Sequence, residues 1–186
     1  MKEIINICVI GLGNISNSRH IPALKKMKNV NIIGGISDEQ GKIDKTVAKH
    51  SIPNTLLIND PKNDIKKLEK CDWFKEVDGV VIGTPPKQHY PLVKMCLLLG
   101  KHVLVEKPMM MNKKEADELI DLAKKNNLIF CVVHNFQYAS KMQKLNDIIE
   151  SKKYGEILSI TEVQFTNRNR RLPLWYDDLP LGLFYD

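Results

Sequence analysis

Ile4-Ile5-Asn6-Ile7-Cys8-Val9-Ile10 runs directly into Gly11-Leu12-Gly13-Asn14-Ile15-Ser16. The first seven residues lack the apolar–polar alternation of a half-exposed strand and read as a strand covered on both faces, the habit of central strands in parallel sheets. The two glycines that follow permit a tight turn. They also let backbone N–H groups approach a pyrophosphate at a helix N-terminus. The hexad matches G-x-G-x-x-G/A except at its last position, where Ser16 stands. Gly11, Leu12, Gly13, Asn14 and Ile15 are therefore the expected cradle for a dinucleotide.

Outward from this turn, strand-like and helix-like segments alternate. Ile15, Ile21, Leu24 and Met27 form a helical stripe that Pro22 interrupts, predicting two short helical pieces or one bent helix. A strand over 31–37 ends at Asp38, and a polar helix over 40–50 turns Ile43 and Val47 inward. A short strand over 55–58 precedes Asp60-Pro61, a cap and first helical position leading to Ile65 and Leu68. A strand over 77–84, a helix over 91–99 closed by Gly100, and a strand over 102–106 follow. Asn112 with Glu115 opens the next helix like a capping box, with Ala116, Leu119, Ile120 and Ala123 inward, before a strand over 128–133. This alternation implies right-handed crossovers and an α/β fold, a doubly wound parallel Rossmann domain over 1–135. A helix over 142–152 ended by Gly155, then a long mixed strand over 156–166, start a different architecture over 136–186.

The 186 residues are 43% hydrophobic and 27% charged, within the range of folded soluble domains. The net charge of +6 comes from lysines dispersed among acidic residues, which argues against a nucleic-acid surface. Arg168, Arg170 and Arg171 make the densest basic cluster, suited to an anionic or hydroxyl-rich small ligand or to a plain surface loop. Cys8, Cys71, Cys96 and Cys131 show no C-x-x-C spacing and read as reduced core thiols of a cytoplasmic protein. The sequence contains neither a signal-type start nor an apolar run of about 18 residues, so no membrane role is expected.

Three further features carry chemistry. Asp38, at the end of the second strand, can accept hydrogen bonds from an adenosine ribose and would repel a 2′-phosphate; no arginine follows it, so NAD is expected over NADP, with Lys42 and Lys45 tempering the preference. Gly83-Thr84-Pro85-Pro86 closes the fourth strand at the carboxyl edge, where ligands of doubly wound sheets bind. Thr84, Pro85 and the following His89 are candidates to touch cofactor or substrate, with a capping or solvent-facing role equally open for His89. Glu106-Lys107-Pro108 ends the fifth strand at the same edge, and oxidising an alcohol requires removing its hydroxyl proton as hydride leaves carbon. Lys107 is the candidate acid/base. His134 and Asn135 follow the last strand and are candidates to face the site, while Trp175 and Tyr176 with the nearby arginines suit a loop over a sugar. His20, His89 and His134 lack metal-like spacing, and His20 is expected to pack on the glycine turn or the cofactor.

Together, Gly11 to His20, Gly83-Thr84-Pro85-Pro86 with His89, and above all Gly100-Lys101-His102-Val103-Leu104-Val105-Glu106-Lys107-Pro108 resemble the glucose-fructose oxidoreductase and inositol dehydrogenase family, Gfo/Idh/MocA. The resemblance continues through His134-Asn135-Phe136 and Tyr154-Gly155-Glu156-Ile157. It implies NAD(P)-dependent oxidation or reduction of sugars, cyclitols or related hydroxy compounds by a likewise oligomeric protein. It implies, too, that 136–186 begins an open-sheet α/β substrate domain, that Lys107 is catalytic, and that Lys107-Pro108 is cis. Glu106, Lys107 and Asn135 are then cofactor-side residues. Gly182-Leu183-Phe184-Tyr185-Asp186 resembles the segment bearing a substrate-side Asp, with a catalytic His a few residues later in relatives. Asp186 is thus a second catalytic candidate, and the chain reads as C-terminally truncated. The alternative is a non-catalytic dinucleotide-binding sensor of the same fold.

Overall fold

The computed structural model describes residues 3–161 and 163. The chain divides into two compact units, Met1–Val133 and His134–Asp186.

In the first unit six strands, β1 (Ile5–Ile10), β2 (Val30–Ser37), β3 (Thr55–Leu57), β4 (Gly79–Ile82), β5 (His102–Val105) and β6 (Phe130–Val132), form one sheet in the order β3-β2-β1-β4-β5-β6. Every neighbouring pair is parallel. The chain winds outward from β1 to β3, then returns to the other side of β1 at β4. That reversal opens a crevice beyond the carboxyl ends of β1 and β4. The expected doubly wound parallel architecture is therefore present.

Successive side chains of a strand point to opposite faces, and β1 divides accordingly. Cys8 and Ile10 join a core with Phe74, Ile82, Val93, Val105 and Leu119. Val9 joins the other, with Leu12, Ile21, Ile32, Ile43 and Ile52. Burial on both faces holds for Cys8 to Ile10, as the unalternating sequence anticipates, whereas Ile4 and Ile5 at the start of the run are exposed. The helices covering these faces are α1 (Ile21–Leu24), α2 (Gln40–His50), α3 (Pro61–Glu69), α4 (Asp72–Lys75), α5 (His89–Leu98) and α6 (Lys113–Lys125). Asn112 caps α6 by accepting from Glu115 N at 3.0 Å, as the capping-box spacing suggests. Gly100 follows α5 with φ +73°, the left-handed conformation expected there. Buried Lys101 donates to the carbonyls of Lys75 and Val77 at 3.0 and 2.7 Å, satisfying the end of α4.

Four expectations change. The segment after the glycine turn is two short helical pieces as expected, a π-helical turn, Ser16–His20, running into α1 with Pro22 in its first turn, but the apolar stripe along it changes. A π turn holds more residues than an α turn, so 3.6-residue spacing loses phase across it. Ile21 is buried, whereas Ile15 and Met27 are exposed. In α2 the inward residue is Thr46 rather than Val47, because the Thr46 hydroxyl donates to Lys42 O at 2.8 Å and accepts from Asn17 Nδ2 at 3.0 Å. Cys8 and Cys96 are buried free thiols, but Cys71 is half-buried and Cys131, on edge strand β6, is exposed. The long strand expected over 156–166 is absent from its described part, since 156–161 form no strand.

In the second unit a 3-10 turn, Asn135–Tyr138, leads into α7 (Ser140–Glu150), two residues earlier than the sequence pattern suggests, and Gly155 takes φ +87°. Among the described residues, no helix is long and apolar enough to cross a membrane.

Candidate functional site

Three turns stand side by side at the carboxyl edge because the ladder of the sheet continues into them. Gly11 N donates to Ile36 O, Gly83 N to Ile10 O and Glu106 N to Ile82 O, at 2.8, 2.8 and 2.9 Å. The glycine turn, the Thr84 turn and the Lys107 turn thereby share one frame.

At the first turn Gly11 has φ +85°, and a Cβ there would lie 2.5 Å from Thr84 Cγ2 and 2.8 Å from Gly83 O. Only glycine fits. Gly13 would meet nothing within 4 Å, leaving its backbone open to close approach. Ser16, the departure from the fingerprint, is fully buried and donates to the Gly11 carbonyl. Its Oγ lies 2.6 Å from where a Gly83 side chain would begin, so a bare Gly83 makes room for the larger third residue. Asn17 Nδ2 donates to Leu12 O at 2.9 Å and fixes the turn from behind.

The crevice is lined by Gly11, Ile36, Asp38, Ile58, Thr84 and Leu92, among others. Asp38 stands at its rim just beyond β2, with Lys42 Nζ and Gln88 Nε2 each 3.5 Å from a carboxylate oxygen. Thr84 Oγ1 is buried and has no hydrogen-bond partner among the described residues. An orphaned hydroxyl in a polar turn is costly unless a ligand completes it. Together with the bare glycines, it fits a dinucleotide seated on the turn.

At the third turn the Lys107-Pro108 bond is cis, as the family resemblance implies. Glu106 Oε1 lies 2.9 Å from His20 Nε2, and its other oxygen accepts from Lys107 N at 3.2 Å. Burial pushes the Glu106 carboxyl up, but the His20 contact, its charge and the Lys107 N–H together hold it below the usual range. An ionised carboxylate thus adjoins half-buried Lys107. The His20–Glu106 pairing joins residues 86 apart, a contact that sequence patterns do not reveal; they place His20 only against the glycine turn or cofactor.

His89 does not take the expected place against cofactor or substrate. Its ring is fully buried, with Nδ1 2.9 Å from Pro108 O and Nε2 2.9 Å from Thr84 O. Both nitrogens face backbone, so the ring ties the Thr84 turn to the Lys107 turn instead of presenting itself to a ligand. Asn14 and Ile15 are exposed beyond the glycine turn and Pro85 is half-buried. Asn135 is exposed in the second unit. Asp186, Arg168, Arg170, Arg171, Trp175 and Tyr176 lie outside the described residues.

A strand, a bare-glycine turn and a helical start at the switch point of a parallel sheet, with a carboxylate beyond the adjoining strand, define a dinucleotide-binding Rossmann protein. The model of the oxidoreductase family with an NAD-binding Rossmann fold, GFO_IDH_MocA, matches residues 5–134, and the chain belongs to that family. It is 31% identical to an uncharacterized oxidoreductase of Schizosaccharomyces pombe, an alignment covering 98% of this chain and 48% of the relative. It is 24% identical to the dTDP-3,4-didehydro-2,6-dideoxy-alpha-D-glucose 3-reductase of Saccharopolyspora spinosa, over 88% of this chain and 46% of that one. Among solved structures, the 3-ketoreductase KijD10 of Actinomadura kijaniata in complex with NADP superposes with a TM-score of 0.67 at 23% identity, covering 82% of this chain and 46% of that one. The chain thus spans about half the length of these curated relatives.

Proposed function

We propose that this protein is an NAD(P)-dependent oxidoreductase, NAD-preferring, that interconverts hydroxyl and carbonyl groups on a sugar, cyclitol or related polyhydroxylated compound. The observation that carries the reading is that the glycine turn and the Lys107 turn flank the Thr84 turn at one sheet edge and are tied across it by the His20–Glu106 contact, with an ionised Glu106 beside the lysine. The sugar reductase name of one relative supports the substrate class.

Nicotinamide dinucleotide, when bound, supplies the hydride acceptor or donor. The open backbone of Gly11 to Ile15 would hold its pyrophosphate, and the Thr84 hydroxyl, beside Pro85, would complete the cradle. Asp38 would accept from ribose hydroxyls and disfavour a 2′-phosphate. Lys107 Nζ would take the hydroxyl proton during oxidation and return it during reduction. Glu106 would act through its bonds to His20 and Lys107 N, fixing the turn and keeping negative charge beside the lysine. In this reading Asp186 is a substrate-side carboxylate, Asn135 a cofactor-side residue, and 136–186 belongs to a substrate and subunit-contact domain of a homo-oligomer.

The test is hydride transfer across a panel of sugars, cyclitols and sugar nucleotides, on the chain together with any natural continuation past Asp186. Lys107→Met should lower turnover by about 10²–10⁴ and leave NADH affinity within about twofold, as removal of a proton-transfer group does. Undiminished turnover in that variant would contradict the role of Lys107. A wild-type protein that binds NADH yet transfers hydride to nothing on the panel would favour the sensor alternative.

A further inference from the structure

We infer that a second small-molecule site lies at the amino edge of the sheet, opposite the dinucleotide crevice, and takes a small monocarboxylate that also carries a hydroxyl group. The site goes beyond the hydride-transfer reading and does not depend on it.

The end of α1, the start of β2 and the end of α2 meet at this edge, because a helix crossing back between parallel strands finishes where the next strand begins. Between them is a cavity of about 350 Å³, lined by Lys25, Asn31, His50 and Ser51 and by the apolar Ile32 and Ile52. Its volume is that of a small-ligand pocket. None of these residues lines the crevice at the carboxyl edge.

His50 gives the cavity its chemistry. The residue is only 8% exposed, and its Nε2 lies 3.1 Å from Asn17 O. A carbonyl oxygen only accepts, so Nε2 carries the hydrogen. Burial pushes the ring pKa down against the Asn17 contact, and the charges of Lys49 and Lys25 push the same way. The ring is therefore neutral at physiological pH, and Nδ1 is a bare acceptor. Nδ1 has no hydrogen-bond partner among the described residues, yet it is not sealed in: Thr84 Oγ1 is the one sealed side-chain nitrogen or oxygen among them without a partner. A ring more than nine-tenths buried thus opens one acceptor onto the cavity it lines, and a hydroxyl of an occupant can donate to it.

Lys25 Nζ donates to the His50 carbonyl, which leaves ammonium hydrogens for an occupant. Lys25 is the one cationic side chain in the lining, and α2 ends at His50 with its carbonyl-rich terminus disfavouring dense negative charge. A single carboxylate consequently matches the cavity better than a phosphate does. Asn31 and Ser51, both exposed, supply further donors and acceptors, while Ile32 and Ile52 face a short carbon chain.

D-Glycerate is the probe, a carboxylate with hydroxyls on a short chain. Amide and imidazole NMR signals of the isotope-labelled chain are followed at neutral pH during titration with D-glycerate, acetate, glycerol and inorganic phosphate. D-Glycerate should shift Asn31, His50 and Ser51 saturably, with a Kd on the order of millimolar for so few atoms, and should move the His50 Nδ1 signal as an accepted hydrogen bond does. Acetate, which lacks the hydroxyls, and glycerol, which lacks the charge, should each bind at least about threefold more weakly. Lys25→Met should weaken D-glycerate by about fivefold, the scale of one exposed charge contact. Ser51→Gly, which suits the φ of +51° at that position and so keeps the fold, should weaken it by about threefold. Phosphate or acetate binding as tightly as D-glycerate would show an unselective cationic surface and overturn the inference. Wild-type affinity in a folded Lys25→Met protein, no saturable shift, or shifts confined to the crevice around Thr84 and Lys107 would overturn it equally.

Discussion

Strand β4 and helix α7 both carry apolar side chains at the period their structure demands, yet they end in opposite surroundings. All four residues of β4 are buried, and the helices on either side of the sheet bury Ile43, Leu68, Val93 and Leu119. On α7, Met142, Leu145, Ile148 and Ile149 recur at helical spacing, but no residue of the helix is buried, and Leu145, Ile148 and Ile149 are 45%, 39% and 40% exposed. Periodicity selects a helix and the side on which its apolar groups lie. Burial needs a facing surface as well, and the first unit contains its own. Among the described residues the buried apolar groups lie in the sheet unit, so that is where packing stability is expected to be measurable.

The sharpest way to break that contrast is a pair of truncations. Leu119→Ala, in the core, should cost about 2–5 kcal/mol of unfolding free energy, while Ile148→Ala on α7 should change it by less than about 0.5 kcal/mol. Denaturant titration with a common slope measures both, and equal costs would show that α7 is packed in solution.

A smaller effect sharpens the picture of the sheet edge. Burial pushes the His89 pKa down, against the opposing contacts with the Thr84 and Pro108 carbonyls. The unfolded chain thus binds that proton more readily than the folded one. Stability should hold above the unfolded histidine value of about 6.5 and decline below it by at most about 1.4 kcal/mol per pH unit from this residue. Unfolding free energies at pH 7.5 and 5.5 check the sign, and His89→Gln, which keeps one amide donor near the Nε2 position, should flatten the slope. A slope that persists unchanged would move its origin to another group. Glu106 adds a separate step at lower pH: its depressed carboxyl contributes fully above about 4.3 and is lost as pH falls through the folded value.

Much of the first unit was legible because its signals are local. An unalternating β1, two glycines, a carboxylate after β2 and regular strand–helix spacing determine the sheet and the place of Gly11, Asp38, Thr84 and Lys107. The features that escaped depend on partners far along the chain or on sub-turn geometry. His20 meets Glu106 only because β1 and β5 flank β4. His89 turns inward since two turns offer it carbonyls. Thr46 replaces Val47 on the inner side of α2 because Asn17 and Lys42 O satisfy its hydroxyl. Ser16 is tolerated where Gly or Ala is the rule because Gly83, at the end of a different strand, has no side chain.

The most direct measurement is NADH binding followed by its fluorescence, in wild type and Gly11→Val, with secondary structure checked by circular dichroism. Wild type should bind saturably. Gly11→Val should lose at least about tenfold in affinity, because its side chain would meet Thr84 and force a β-branched residue to φ +85°. Equal affinity in a folded Gly11→Val protein, or wild type without NADH binding, would contradict a dinucleotide seat on the glycine turn.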